Sequence, residues 1–205
     1  ASNRRILGPD GRVQHTRWTA TRDPKIRAFP VGTIDPELKM ISFWNGDEPI
    51  AALTYYACHP QSYYRTGMAN PDFPGLARNA RQEATGVPHI HFNGAGGDIG
   101  AGKWNDGSRE NRQVLADRVA AGMQQAWQNT KKSPLTAEDV EWSVAPVVLP
   151  PSEQMDEAAL AATVEDKKAE ADARWYAAKH LVWLRRCKNG DPIDITCLKM
   201  NDARV

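Results

Sequence analysis

Apolar residues gather in two short runs near the middle of the chain, at residues 50–58 and 88–92. Alternating apolar positions at residues 38–44 and a turn at 45–47 precede the first run, and this pattern predicts a β-hairpin. Polar residues hardly interrupt the first run, which favours an interior strand buried on both faces. Both runs predict strands that deliver loops to one edge of a β-sheet.

A helix is predicted between these two strands. Asp72 is placed to cap its first turn, and Gly86 ends a helical segment over residues 74–85. A strand, a helix and a second strand form a parallel crossover unit. Because sites in α/β folds lie at the carboxyl ends of strands, we expect His59 to meet the glycine-rich loop 93–103 at that edge.

The remaining residues predict further elements around this unit. Ser108 is placed to cap a long helix, and the apolar residues Leu115, Val119, Met123 and Trp127 recur every four positions along it, which predicts core packing. The later elements are a strand at 139–149 with one wet face, charged helices within 152–190, a strand at 193–200 and the start of another at 203–205. The first forty residues are rich in turn formers and predict irregular segments.

Length and composition set the expected fold class. A chain of 205 residues with 41% hydrophobic residues can bury one core. We therefore expect an α/β fold with a mixed β-sheet and packed helices. Residues 1–205 are expected to form a single domain, and residues 152–190 are expected to form a charged helical excursion within it. The final predicted hairpin has only half of its second strand, which favours a fragment of a larger domain.

Charge and cysteine usage argue against several functions. The 26 Lys and Arg residues against 25 Asp and Glu give a net charge of +1, which argues against nucleic-acid binding. No apolar run approaches the ~18 residues of a transmembrane segment. Cys58, Cys187 and Cys197 have no C-x-x-C spacing, which argues against a zinc knuckle. Free thiols are the favoured interpretation, and a Cys187–Cys197 pair is the alternative.

Histidines at two predicted strand ends are candidates for metal binding. His59 directly follows the first apolar run, so a rigid element presents its imidazole, as metal sites favour. The alternative is a histidine that is hydrogen-bonded at the strand end. His89 and His91 point to one face of the second strand, but no third ligand lies at a familiar spacing. We interpret this second pair as structural.

The glycine-rich loop contains one acidic residue and a motif that suggests another function. Asp98 is a candidate general base or orienting carboxylate, and the alternative is that it holds the loop through backbone N–H groups. Residues 97–103 fit the phosphate-loop pattern G-x-x-x-x-G-K. That loop requires Ser or Thr next, where Trp104 stands, and Asp98 lies where phosphate would bind, so nucleotide binding is the least favoured hypothesis.

Four motifs occur in order in the first half of the chain. They are Asn3-Arg4-Arg5, Ala57-Cys58-His59-Pro60-Gln61-Ser62, Asn70-Pro71-Asp72-Phe73-Pro74-Gly75 and Phe92-Asn93-Gly94-Ala95-Gly96-Gly97-Asp98-Ile99. In these motifs the chain resembles the catalytic domain of the neutral/alkaline, non-lysosomal ceramidases, and more closely uncharacterised bacterial members of that family. Residues from Trp127 onward add little to the resemblance.

The resemblance implies a zinc-dependent hydrolase that acts on an amide, with an N-acyl compound or lipid amide, such as a sphingolipid, as substrate. In the family, two histidines, a glutamate and a tyrosine hold one Zn²⁺ ion. His59 resembles the second zinc histidine, and the other ligands are expected outside this chain. Family members are commonly exported, so the resemblance also implies an extracellular or periplasmic location.

The resemblance also assigns roles to other residues. Arg4 resembles the arginine that lines the family's site, and with Asp98 it is a catalytic candidate. Asp72 resembles the aspartate of the family's helix entry. We assign Asp72 to substrate binding because of this resemblance. Gly96 and Gly97 are assigned to substrate binding because N–H groups of the glycine loop are suited to stabilise an oxyanion.

Gly100 is the main departure from the family. The family's loop reads Gly-Asp-x-Ser-Pro, with the serine implicated in catalysis, whereas residues 97–101 read Gly-Asp-Ile-Gly-Ala. We retain Gly100 as a catalytic position and expect metal-activated water to act without a serine nucleophile. The alternative is a ceramidase-like domain that binds a ligand or partner without turnover.

Overall fold

The computed structural model describes residues 1–204, and its mixed α/β fold confirms the predicted fold class. The chain divides into two compact units, residues 1–132 and 133–205. The strands are β1 (Ser2–Asn3), β2 (Arg5–Leu7), β3 (Val13–Thr16), β4 (Lys39–Asn45), β5 (Glu48–Tyr56), β6 (His89–Asn93), β7 (Ile99–Gly100), β8 (Val140–Val147), β9 (Ile193–Met200) and β10 (Ala203–Arg204). The helices are α1 (Pro24–Ala28), α2 (Asp72–Thr85), α3 (Arg109–Gln128), α4 (Glu157–Glu165) and α5 (Ala171–Asn189), with a 3-10 turn at Ala137–Asp139. The arrangement of residues 1–205 as one domain stays a prediction.

The first unit is built on a three-stranded sheet in the order β4-β5-β6. β4 pairs with β5 in an antiparallel hairpin, and β5 pairs with β6 in parallel, so the predicted hairpin and crossover are both confirmed. The prediction that β5 is buried on both faces is wrong. Ala52 and Thr54 on one face are fully buried, whereas Ala51, Leu53 and Tyr55 on the other face are only partly buried.

Helices α2 and α3 supply the core of the first unit. Leu115, Val119 and Met123 of α3 are buried against Phe73 and Ala77 of α2, which confirms the predicted packing stripe. The Ser108 side chain accepts a hydrogen bond from the backbone of α3, as its capping position predicts. Gly86 ends α2 in the left-handed conformation, with φ of 69°. These two helices hold the loops on either side of the sheet edge.

The amino-terminal segment is more regular than the sequence predicts. β1 pairs with β7 from the glycine loop, and β2 pairs with β3. Strands of two to four residues are too short to show a period of alternation, and the partner of β1 lies far along the chain, so local pattern did not reveal them. The buried guanidinium of Arg17 donates to the carbonyl oxygens of Asn3, Phe29 and Pro30, which holds this segment together.

The second unit contains a three-stranded antiparallel sheet, in the order β10-β9-β8, and the helices α4 and α5. The strand predicted at 139–149, the charged helices within 152–190 and the strand predicted at 193–200 are all present. The prediction of one wet face for the first of these is wrong, because residues on both faces of β8 are exposed. Gly190 ends α5 with a left-handed C-cap, and Val205 lies outside the described residues. Cys187 and Cys197 are free thiols. Among residues 1–204, none of the helices has the length and apolar character needed to cross a bilayer.

Candidate functional site

His59 lies beside the glycine loop, as predicted from the crossover topology. Its backbone N–H donates to the carbonyl oxygen of Ile99 at 3.1 Å, and His59 forms a parallel β-bridge with Gly100. The backbone of His59 is therefore fixed from two sides, by β5 before it and by β7 alongside. The carboxyl edge of the sheet brings these residues together.

The imidazole of His59 is half-buried and lines a cleft of about 440 Å³, which we name the histidine cleft. The cleft is formed mainly by the segment between β5 and α2, including Gln61, Tyr63, Tyr64 and Asp72. Neither ring nitrogen of His59 has a hydrogen-bond partner among residues 1–204. An accessible imidazole on a fixed backbone suits a metal ligand.

A complete metal site is not formed by the described residues. Within residues 1–204, no group of three or more His, Cys, Asp and Glu side chains is arranged to hold a metal ion. Zinc sites in proteins use at least three side-chain ligands, so His59 fits as one ligand of a set that this part of the chain does not complete.

Asp72, predicted to cap α2 from outside the helix, has a different position, and its role in substrate binding stays a prediction. It is the first residue of α2, with φ of 50°, and the N-cap position is occupied by Pro71. Its carboxylate accepts hydrogen bonds from the backbone and hydroxyl of Ser62 and from the backbone of Tyr63 and Phe73, at 2.6 to 3.0 Å. The predicted N-cap is wrong because Pro71 occupies that position; the carboxylate of Asp72 holds the first turn through Phe73 and the wall of the histidine cleft through Ser62 and Tyr63.

Asp98 is engaged in a similar way. Its carboxylate accepts hydrogen bonds from the backbone and Nε of Arg5, at 3.1 and 2.7 Å, and from Asn3 at 3.1 Å. Partial burial raises the pKa of Asp98, but the hydrogen bonds and charge of Arg5, with the hydrogen bond from Asn3, outweigh it and set the pKa below its ordinary value. The geometry favours the predicted alternative, in which Asp98 holds the loop.

Two glycines of the loop leave hydrogen-bond donors available. The backbone N–H groups of Gly96 and Gly97 donate to no residue in the described range 1–204, while Ile99 donates to the carbonyl oxygen of Gly96. A Cβ at Gly96 would lie 3.5 Å from the backbone nitrogen of His59, so this donor is near the candidate ligand. Free N–H groups at this position are consistent with the predicted oxyanion role.

Arg4 lines a second cleft of about 590 Å³, together with Arg65, Arg112, Trp18 and Tyr64. We name it the arginine cleft. The backbone of Arg4 donates to the carbonyl oxygen of Asp98 at 2.6 Å, and its guanidinium donates to that of Gly97 at 3.4 Å. Arg4 is predicted from its motif, whereas Arg65 and Arg112 are not, since no local spacing connects three arginines from different parts of the chain.

The contacts of His89 and His91 agree with the structural interpretation of this pair. The Nε2 atom of His89 lies 3.1 Å from the hydroxyl of Thr85, and Nδ1 of His91 lies 2.9 Å from the hydroxyl of Thr54. Burial lowers the pKa of both histidines. Both imidazoles therefore favour the neutral form within the first unit.

Cys58 and Lys103 also lie close to the loop but have other roles. Burial raises the pKa of the Cys58 thiol to about 11, so little nucleophilic thiolate is present near neutral pH. The amine of Lys103 donates to the carbonyl oxygens of Arg27 and Phe29. Because this amine is held by protein carbonyls, the geometry does not favour the phosphate-loop hypothesis.

One solved structure shares this fold. The crystal structure of a neutral ceramidase from Pseudomonas aeruginosa matches 83% of this chain with a TM-score of 0.54 and 12% sequence identity. The match covers 34% of the ceramidase, so this chain spans about a third of its length. No family model and no curated protein matches the sequence. At this identity the likeness shows the fold, and it agrees at fold level with the resemblance drawn from the four motifs.

Proposed function

We propose that the protein is a zinc-dependent amide hydrolase whose active centre is the histidine cleft. The observation that carries the proposal is the position of His59. Its imidazole lines the histidine cleft, and its backbone is fixed beside the glycine loop at the carboxyl edge of the sheet. The fold shared with a neutral ceramidase supports an N-acyl compound or lipid amide as the substrate.

In this proposal His59 is one ligand of a single Zn²⁺ ion, and the other ligands come from outside these 205 residues. Such an ion polarises a carbonyl group and lowers the pKa of water. The N–H groups of Gly96 and Gly97 supply donors for the carbonyl oxygen of the substrate. Asp98 and Asp72 are positioning residues in this proposal. The carboxylate of Asp98 holds the glycine loop, and that of Asp72 holds the cleft wall, through hydrogen bonds.

A second candidate is a ceramidase-like domain that binds a ligand without turnover. Two observations favour it. Gly100 stands where the family has a serine, and the carboxylates of Asp72 and Asp98 both accept several hydrogen bonds from protein groups. Carboxylates engaged in this way have fewer lone pairs free to accept a proton from a substrate.

Metal analysis of the intact protein tests the first proposal. We expect about one zinc ion per chain in the wild type, and a clear loss of zinc in His59→Ala. His180→Ala is the matched control, because His180 is exposed on α5 in the second unit. A wild-type protein without zinc, or equal zinc content in His59→Ala, would contradict the proposal. Bound zinc without hydrolysis of N-acyl amides would favour the second candidate.

A further inference from the structure

Among the described residues, the arginine cleft carries positive charge that no carboxylate balances through an ion pair. Arg4, Arg65 and Arg112 contribute three guanidinium groups, and the cleft has no Asp or Glu among its lining residues. Within the described residues, none of these three arginines forms an ion pair.

The arginines are held by contacts that leave donors available. Nε of Arg112 donates to the carbonyl oxygen of Ser62 at 3.1 Å, and its guanidinium lies over the ring of Tyr63 at 4.3 Å. The terminal nitrogen atoms of Arg112 donate to no residue within 1–204. Arg65 is exposed and lies 5.3 Å from the ring centroid of Tyr64. Stacking orients these guanidinium groups, so less conformational freedom is lost when they bind an anion.

The arginine cleft is adjacent to the candidate active centre. Gln61 lines both the arginine cleft and the histidine cleft. A small cavity shares lining residues with both clefts, since it is lined by Arg4, Trp18, Gln61, His59 and Gly100. A ligand with one group beside His59 therefore has a second group within reach of the arginines.

We propose that the arginine cleft binds an oxyanion of the substrate, and that the substrate is an anionic N-acyl compound with a carboxylate or phosphate group beyond the amide. Arginine forks match the paired oxygen atoms of these anions and form charge-assisted hydrogen bonds with them. The exposed rings of Trp18 and Tyr64 provide apolar walls for the adjoining carbon atoms. The choice of amide as the reacting group rests on the proposed function, whereas anion binding is tested independently of hydrolysis.

Equilibrium binding of matched probes to the intact protein tests this inference. N-octanoylglycine carries a carboxylate, N-octanoylglycinamide is its neutral counterpart, and octyl phosphate presents a phosphate. We expect an anionic probe to bind about tenfold or more tightly than the neutral one, as charge-assisted hydrogen bonds predict. The preference is expected to weaken as ionic strength rises.

Arginine variants locate the binding. Arg112→Gln and Arg65→Gln are each expected to weaken binding of the preferred anion about threefold to tenfold, with little effect on the neutral probe. Arg109→Gln removes the same charge from an exposed position at the start of α3 and serves as the control. Arg65 is also exposed, so Arg65→Gln keeps the test valid if Arg112→Gln fails to fold.

The outcomes separate the inference from the proposed function. Equal affinity for charged and neutral probes, or an equal loss in Arg109→Gln, overturns the inference. Anion-selective binding in a protein that holds no zinc supports the inference and contradicts the proposed function. Zinc binding through His59 without any anion preference supports the proposed function and overturns the inference. Tighter binding of octyl phosphate than of N-octanoylglycine supports the inference and assigns phosphate as the oxyanion.

Discussion

His59 and Gly100 lie side by side in a parallel bridge, although they are separated by a helix and a strand in sequence. Position 100 is therefore next to the candidate metal ligand, where the resembled family carries a serine. A Cβ at Gly100 would contact only the side chain of Arg4, at 3.9 Å or more. Position 100 therefore has space for a small side chain.

We predict that Gly100→Ser is tolerated. No neighbouring atom would have to move, so the free energy of unfolding should change by less than about 1 kcal/mol. Gly102→Ala is the contrasting variant, because its Cβ would overlap the carbonyl oxygen of Trp18, and a loss of about 1–3 kcal/mol is expected. Urea denaturation measures both. If the proposed function is correct, Gly100→Ser should also raise the rate of amide hydrolysis.

The carboxylate of Asp72 is predicted to stabilise the fold. Asp72→Ala removes four hydrogen bonds and leaves alanine at φ of 50°, so we expect a loss of about 3 kcal/mol. Asp72→Asn should lose less, since asparagine retains an acceptor and tolerates positive φ. Asp117→Ala on the exposed face of α3 is the control. Unchanged stability of Asp72→Ala in thermal and urea unfolding would show that these hydrogen bonds contribute little.

Histidines of β6 are predicted to make the protein acid-sensitive. Burial first, and then the charges of Arg81 and Arg78, lower the pKa of His89 and His91 below the ordinary value of 6.5. The unfolded chain then takes up protons before the folded chain as pH falls. Stability that is present above pH 6.5 is lost as pH falls through the folded-state pKa values.

The measurement is the free energy of unfolding as a function of pH, in wild type and in the double variant His89→Gln/His91→Gln. The double variant should show a flatter slope below pH 6.5, because its side chains do not titrate. His180→Gln, at an exposed position of α5, is the reference for replacing a histidine outside β6. Equal slopes in all three proteins would refute the assignment.

Local sequence pattern predicted the central elements because their signals are local. The hairpin of β4 and β5, the cap at Ser108 and the stop at Gly86 each depend on residues within a few positions. The parallel crossover follows from connection rules, and it correctly placed His59 beside the glycine loop. A resemblance in four motifs then identified a fold that the structural comparison supports.

The remaining features depend on contacts between distant residues. β1 finds its partner in β7, and the arginine cleft combines Arg4, Arg65 and Arg112 from three separate segments. The carboxylate of Asp72 is expected to cap α2 from outside the helix. It instead accepts hydrogen bonds from Ser62 and Tyr63, which precede the helix. No periodicity or short motif encodes such choices, because tertiary packing decides them.

The pairing of β1 with β7 also affects the order of folding. Hydrogen bonds from Ser2, Asn3 and Arg5 to β7 and Asp98 span 93 to 98 residues, whereas the hairpin of β4 and β5 closes locally. Contacts between such distant segments carry the larger loop-closure cost and tend to form after local ones. We expect pulsed hydrogen exchange to protect the β4–β5 hairpin before β7. The candidate site is then among the last parts of the first unit to become ordered, which leaves its residues exposed to solvent for most of the folding reaction.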